Sequence, residues 1–110
     1  MAAFTVNTIA AEGDWHIIDA YSTDVSTSTA LLAANGEQDY LVKSVSVEIN
    51  HSDCWFKLFD GTTLRIGPVK PRANNYHREY ESPIVFSGAI NVQTESDKQI
   101  HITLAYKLRP

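Results

Sequence analysis

Histidine is the residue type in this sequence best suited to bind a metal, and the chain has four: His16, His51, His77 and His101. Metal sites in proteins usually take at least two ligands from one short stretch, as in HxH or CxxC pairs. Neither pair occurs here, and no two histidines are spaced to share one face of one element. A site assembled from distant strands stays open, but the spacing favours polar surface histidines. We therefore predict no metal and no other cofactor.

Residues for nucleophilic catalysis are equally sparse. The single cysteine, Cys54, heads an apolar run and is better explained as a small core residue than as a nucleophile. There is no G-x-S-x-G motif, and the five glycines are isolated at turns instead of forming a phosphate-binding loop. Glu79 and Glu81 are two residues apart and share one strand face, which is typical of solvated surface charge. We predict that the protein is not an enzyme.

An aromatic and basic stretch is the strongest candidate for binding. On a regular strand, Tyr76, Arg78 and Tyr80 lie on one face, with His77 and Glu79 on the other. Three interpretations remain open. The tyrosines are half-buried strand residues, they belong to a protein interface, where tyrosine and arginine are enriched, or they recognise carbohydrate.

Charge is distributed unevenly along the chain, whose net charge is −4. Residues 1–55 contain eight acidic residues and one lysine, whereas residues 56–110 contain five acidic and eight basic residues. The bases cluster as Arg65, Lys70, Arg72 and Arg78. This is either a mixed solvated surface or a basic patch that docks on an acidic partner. Four bases are few for tracking phosphates, so we predict no direct binding of nucleic acid.

The chain has 110 residues, which suits one domain with one core. It has no run of 18 apolar residues for a membrane span, and its first residues lack the pattern of a secretion signal. A lone cysteine fits a reducing compartment. We expect residues 1–13 to be a mobile N-terminal arm and residues 14–110 to form a single β-sandwich domain.

Hydrophobic periodicity predicts strands throughout. Apolar residues alternate with polar ones over residues 41–49 and again over residues 100–108, and no stretch has helical spacing. Turn signals such as Asp60-Gly61 separate the runs, while Gly67-Pro68 and the corner Ser82-Pro83 are expected to end strands. The predicted strands are Trp15–Tyr21, Thr27–Leu32, Tyr40–Asn50, Trp55–Phe59, Thr63–Ile66, Tyr76–Tyr80, Ile84–Phe86, Ala89–Thr94 and Ile100–Leu108.

Eight to ten short strands without helices must close into a barrel or pack as two sheets. We predict an all-β, two-sheet antiparallel sandwich, jelly-roll-like, with an immunoglobulin-like sandwich as the alternative. The run Trp55–Phe59 is apolar on both faces. It is therefore expected in the middle of a sheet or beneath a partner.

The second half resembles small structural proteins of tailed bacteriophages. The resemblance covers roughly residues 40–107 and rests on an ordered series of turns and strands. Its elements are Glu48-Ile49-Asn50, Phe56-Lys57-Leu58-Phe59-Asp60-Gly61-Thr62-Thr63, Ile66-Gly67-Pro68, Pro83-Ile84-Val85-Phe86-Ser87-Gly88, Ile90-Asn91-Val92 and a last strand ending in Ala105-Tyr106. Ala105 stands where that layout has glycine, and residues 1–39 match no family.

This resemblance implies a capsid decoration (cement) or tail-associated protein, located on the virion after assembly in the host cytoplasm. A decoration protein binds the major capsid protein and is commonly a homotrimer. The expected partner-binding residues are Trp55, Arg65, Lys70, Arg72, Tyr76, Arg78 and Tyr80. Charge reversal at Arg72 and Arg78 should then weaken capsid binding. The alternatives are a tail-tip or fibre receptor-binding module and a carbohydrate-binding module.

Overall fold

The computed structural model describes residues 4–50, 54–71, 75–95 and 99–109, except for the side chain of Glu12. Within these ranges the chain forms nine β-strands and no helix. The strands are β1 (Thr5–Glu12), β2 (Trp15–Ser22), β3 (Thr29–Leu32), β4 (Asp39–Ile49), β5 (Phe56–Asp60), β6 (Thr63–Val69), β7 (Asn75–Phe86), β8 (Ile90–Thr94) and β9 (Ile100–Arg109). No helix long and apolar enough to cross a membrane occurs in the described ranges.

Two antiparallel sheets account for all nine strands. The five-stranded sheet has the order β1-β2-β9-β4-β7, and the four-stranded sheet has the order β3-β8-β5-β6. Successive strands from β2 onward alternate between the two sheets, except where a hairpin joins β5 to β6 within the four-stranded sheet. From β2 to β9 this is the double Greek-key order of a jelly roll, with β1 added at one edge. The predicted jelly-roll-like sandwich is confirmed.

The core lies between the two sheets and takes alternate side chains from each strand. The largest buried side chains include Ile18, Ile102 and Leu104 from one sheet and Phe56 and Ile90 from the other. The alternation predicted for β9 is confirmed, because Ile100, Ile102 and Leu104 are buried while His101 is exposed. Strand β5 lies between β8 and β6, so the expected central position of Trp55–Phe59 is also confirmed.

Strand β4 departs from simple alternation at a bulge. Its pairing with β9 shifts register between Val42 and Ser44, which leaves Lys43 as the extra residue. At the same point the pairing with β7 is interrupted, because Val42 pairs with Ile84 and Ser44 with Glu79, so that residues 80–83 of β7 stand opposite Lys43. Before the bulge Tyr40 and Val42 belong to the core, whereas Leu41 is buried outside the core cluster. The expectation of one unbroken alternating face over residues 41–49 is therefore wrong at its first residue.

Prolines do not break the edge strands. Strand β7 is one element from Asn75 to Phe86, so the predicted strand end at Ser82-Pro83 is wrong, but residues 80–83 around this predicted corner are not paired with β4. Strand β6 likewise continues through Gly67-Pro68 to Val69. Both strands lie at sheet edges, and both prolines lie where the pairing is irregular, Pro83 within the unpaired residues 80–83 and Pro68 between the paired residues Ile66 and Val69.

The segment expected to be an N-terminal arm contains β1. Thr5–Glu12 pairs antiparallel with β2 across a hairpin at Gly13, with a register shift between Thr8 and Ala10. The other edge of β1 is an outer edge of the five-stranded sheet. Mobility of residues 1–13 stays a prediction.

Candidate binding surfaces

A polar cleft lies on the outer face of the five-stranded sheet. Strand β4 forms its floor, with β9 on one side and β7 on the other. The register places Ser46 opposite Thr103 and His77, and places Glu48 opposite His101. We call this site the histidine cleft, and its polar lining consists of Ser46, Glu48, Asn75, His77, His101 and Thr103.

Hydrogen bonds between strands hold the cleft side chains in place. Asp19 of β2 accepts hydrogen bonds at Oδ1 from Nε2 of His101 at 2.5 Å and from the Thr103 hydroxyl at 3.1 Å. The hydrogen bond from His101 lowers the pKa of Asp19, and the bond from Thr103 adds to this against the opposing effect of burial. Asp19 is thus a carboxylate that fixes the orientation of His101.

The second imidazole is held from the floor of the cleft. Ser46 Oγ and His77 Nδ1 are 2.6 Å apart and form a hydrogen bond between β4 and β7. The Nε2 atom of His77 has no hydrogen-bond partner among the described residues. Both histidine rings are therefore fixed through one nitrogen, and each retains a second nitrogen for a ligand.

The histidine cleft has a volume of about 290 Å³. A smaller depression of about 60 Å³ adjoins it and shares Glu48 and His101 with it. Tyr21 lines this second depression and is exposed. Together the two form one open groove across β2, β9, β4 and β7.

Sequence reasoning did not find this groove. Ser46 and His77 are 31 residues apart, and Asp19 and Thr103 are 84 residues apart. Only the strand register brings them together, and no spacing motif encodes it. Among the described residues, no group of three or more His, Cys, Asp or Glu side chains is arranged to hold a metal ion.

The residues expected to bind a partner are divided among three elements. Arg65 lies on β6 and Lys70 follows it, Trp55 precedes β5, and the remaining three described residues lie on β7. Arg72 lies outside the described residues. The edge strands β6 and β7 lie on the same side of the sandwich. The Tyr76 ring of β7 is 5.3 Å, between centroids, from the Phe56 ring of β5, and β5 is the neighbour of β6.

The aromatic stretch on β7 has the predicted arrangement of faces. Tyr76 and Arg78 pair with inward-facing Val47 and Val45, while His77 pairs with outward-facing Ser46. Tyr76 and Tyr80 pack against the core, and the guanidinium of Arg78 lies 5.9 Å from the centre of the Tyr80 ring. The tyrosines therefore have a structural role, and Arg78 is the exposed member.

Burial and a hydrogen bond explain the electrostatics at Tyr80. Burial raises the pKa of its hydroxyl most, and the hydrogen bond with Tyr76 raises it further, against the opposing charge of Arg78. Tyr80 is therefore protonated and partly buried, so its hydroxyl group is poorly placed to bind a ligand.

A cationic and aromatic cluster covers the other end of the same outer sheet face. The ammonium groups of Lys43 and Lys107 lie 4.5 Å and 5.2 Å from the centre of the Trp15 ring. Beneath this cluster Leu41 and Ala105 are buried without joining the main core. The lysines are held by cation–π contacts and cover an apolar patch with their aliphatic stems.

Edge strand β1 carries two of the exposed large hydrophobic side chains among the described residues. Ile9 is 58% exposed and Val6 is 38% exposed, and residues 5–11 carry no charge. Leu64 on β6 is 44% exposed. It lies at the outer edge of the other sheet, on the side away from β1.

Comparison with known proteins does not assign this chain to a family. No protein-family model matches the sequence, and no curated protein matches it. Among solved structures, the chain is similar to the crystal structure of an RmlC-like cupin protein from Desulfovibrio desulfuricans. The similarity covers 94% of this chain and 82% of the cupin chain. The identity is 13% and the TM-score is 0.43. The assignment as a jelly-roll sandwich rests on the strand order.

Proposed function

We propose that this chain is a non-enzymatic virion structural protein, a capsid decoration protein that binds the major capsid protein of a tailed phage and stabilises the head. In this role it is a homotrimer located on the outside of the shell. The observation that carries the proposal is the bare, uncharged edge of β1 with its exposed Val6 and Ile9.

An unprotected edge strand is a surface for another chain. Soluble proteins usually protect such edges with lysine, proline or a covering loop. Strand β1 has neither lysine nor proline, and its one irregularity is the register shift next to Ile9. We infer that this edge becomes buried when copies of the chain assemble.

The position of the second apolar site favours a ring of copies. Leu64 is exposed at the opposite side of the sandwich from β1. A contact between β1 of one copy and the β6 edge of the next is head-to-tail, and head-to-tail contacts form a cyclic oligomer when the rotation between copies closes a ring. A trimer is one such ring.

Basic residues on the β6–β7 side suit the contact with the capsid. Arg65 is 43% exposed although it lies 3.7 Å from the carboxylate of Asp60, and Arg78 is exposed. These groups fit an acidic surface of the capsid protein. Binding only to the assembled shell then favours the shell by mass action.

The hydrogen bond between Ser46 and His77 is compatible with a non-enzymatic role. A serine nucleophile needs a base that a third group orients, together with donors for the oxyanion. Within the described residues, no carboxylate contacts the His77 ring. The pair is instead a cross-strand hydrogen bond between two exposed side chains.

The decisive experiment is co-sedimentation of the chain with shells assembled from the major capsid protein encoded in the same genome. Wild-type protein should pellet with shells, and the double variant Arg72→Glu, Arg78→Glu should bind about tenfold more weakly or worse. The control variant Lys43→Glu, Lys107→Glu makes the same charge change on the outer face of the five-stranded sheet and should still bind. Failure of the wild-type chain to bind shells would overturn the proposal.

Solution mass tests the oligomer. Light scattering of the purified chain should give about three times 12.2 kDa. Ile9→Lys should give a monomer because it places a charge at the proposed contact, whereas Ala30→Lys, at an exposed position of β3, should leave the trimer intact. A trimer that survives Ile9→Lys would exclude β1 from the interface.

A further inference from the structure

We propose that the histidine cleft is a binding site for a single neutral sugar unit. The cleft is a polar concavity in the outer face of the five-stranded sheet, away from the β1 edge and from the bases on β6. This inference does not depend on capsid binding. It adds a small-molecule function to the same domain.

The size of the cleft limits its ligand to something small. Its volume of about 290 Å³ is at the lower end of ligand pockets, which range over about 300–1,000 Å³. His77 and His101 lie on strands separated by β4, and two strand spacings amount to about 10 Å. That width admits one sugar ring with hydrogen bonds on both sides.

The hydrogen-bonding groups of the cleft suit hydroxyls. A neutral imidazole offers one donor and one acceptor, and the hydroxyls of Ser46 and Thr103 can do both. Sugar hydroxyls have the same dual character.

Charge argues against an anionic ligand. The lining includes the carboxylate of Glu48, and Asp19 lies directly behind His101, but no lysine or arginine among the described residues lines the cleft. A phosphate or sulfate would face these carboxylates without a permanent cation from the described lining to compensate them. A neutral polyol incurs no such penalty.

Preorganisation distinguishes the cleft from an ordinary solvated strand face. Asp19 fixes His101, and Ser46 fixes His77, through hydrogen bonds that cross from strand to strand. Side chains already held in one orientation lose less entropy when a ligand binds. Asp19 is thus a positioning residue that acts through His101.

Histidine signals in NMR spectra test the site directly. We would titrate the full chain with D-glucose, D-galactose, D-mannose and N-acetyl-D-glucosamine, each to about 50 mM, well above a millimolar Kd. The ring Cε1–H signals of His77 and His101 should shift with saturation for at least one sugar. The signal of His16, whose ring stacks on Tyr106, should not move.

Variants decide whether the shifts report the cleft. His77→Gln and His101→Gln should each weaken binding by about tenfold or more, which corresponds to the loss of about one hydrogen bond. Asp19→Asn should weaken binding and also shift the His101 signal in the free protein, while His16→Gln should bind as the wild type does. No shift with any of the four sugars, or equal binding by the cleft variants, would overturn the proposal while leaving capsid binding untouched.

Discussion

The carboxylate of Asp60 and the backbone N–H of Gly88 join two turns of the sandwich through a hydrogen bond of 2.7 Å. The other carboxylate oxygen accepts a bond of 3.0 Å from the N–H of Ser87. Asp60 ends β5 and Ser87 follows β7, so a single buried side chain connects the β5–β6 hairpin to the turn that leads into β8.

Replacement of Asp60 should therefore be costly. Asp60→Asn turns one acceptor oxygen into a donor group that faces backbone N–H groups, and leaves at least one of them unpaired. We expect the free energy of unfolding to fall by about 2–3 kcal/mol at about pH 7. Guanidinium denaturation measures this, and Asp14→Asn, at an exposed turn position, is the control.

Acid should reduce the difference in the free energy of unfolding between wild type and Asp60→Asn. Burial raises the pKa of Asp60, but the hydrogen bonds from Ser87 and Gly88 and the charge of Arg65 outweigh it, so the net pKa is lowered from 3.8. The charged carboxylate thus stabilises the fold above the unfolded-state pKa, and this stabilisation is lost as the pH falls through the folded-state value. The difference in stability between wild type and Asp60→Asn should therefore shrink as the pH falls below the unfolded-state value of 3.8. A constant difference would contradict this explanation.

Tyr80 should make the protein sensitive to alkali. Burial, followed by its hydrogen bond with Tyr76, raises its pKa in the folded state. A raised pKa stabilises the fold below the unfolded value of 10.0, and that stabilisation disappears as the pH rises toward the folded value. The free energy of unfolding should decline above about pH 10, and less steeply in Tyr80→Phe than in Tyr21→Phe, where the side chain is exposed. Equal slopes would mean that Tyr80 ionises freely.

Gly67 should not tolerate a side chain. Its φ is +102°, and a Cβ atom there would lie 2.5 Å from the carbonyl oxygen of Phe56. Gly67→Ala should lower the free energy of unfolding by about 2–4 kcal/mol. Gly36→Ala adds a methyl group in open space and should stay within about 0.5 kcal/mol of wild type. Similar thermal midpoints for the two variants would refute the close approach.

The thiol of Cys54 should be unreactive in the folded protein. Its residue is 2% exposed and packs in the core cluster. A water-soluble disulfide reagent should label it about 100-fold or more slowly than it labels protein in guanidinium, because labelling requires opening of the structure. Rapid labelling of native protein would show that the thiol is accessible.

The sequence predicts the fold class well because alternation and turn residues are local. The pattern of β9 and the Asp60-Gly61 hairpin both depend on neighbouring residues, and both are confirmed. Strand ends are less certain. Pro83 suggests the end of a strand, but β7 continues through it as an edge strand, with a bulge at residues 80–83 where pairing with β4 is interrupted.

Features that depend on pairing between distant strands could not be predicted. The bulge at Lys43 is a property of β4 together with β7 and β9, so alternation in β4 alone assigns Leu41 to the wrong face. The histidine cleft arises in the same way. His77 and His101 share a site only because β4 lies between their strands.

The bulge in β4 gives the outer face of one sheet two different halves. On one side of Lys43, Leu41 points outward with its pairing partner Lys107 and is 9% exposed, so that half of the face has a buried apolar residue. On the other side Ser46 and Glu48 point outward and leave that half open to water. Because of this one extra residue, β4 contributes a buried apolar side chain to one half of the outer face and exposed polar side chains, available to a ligand, to the other half.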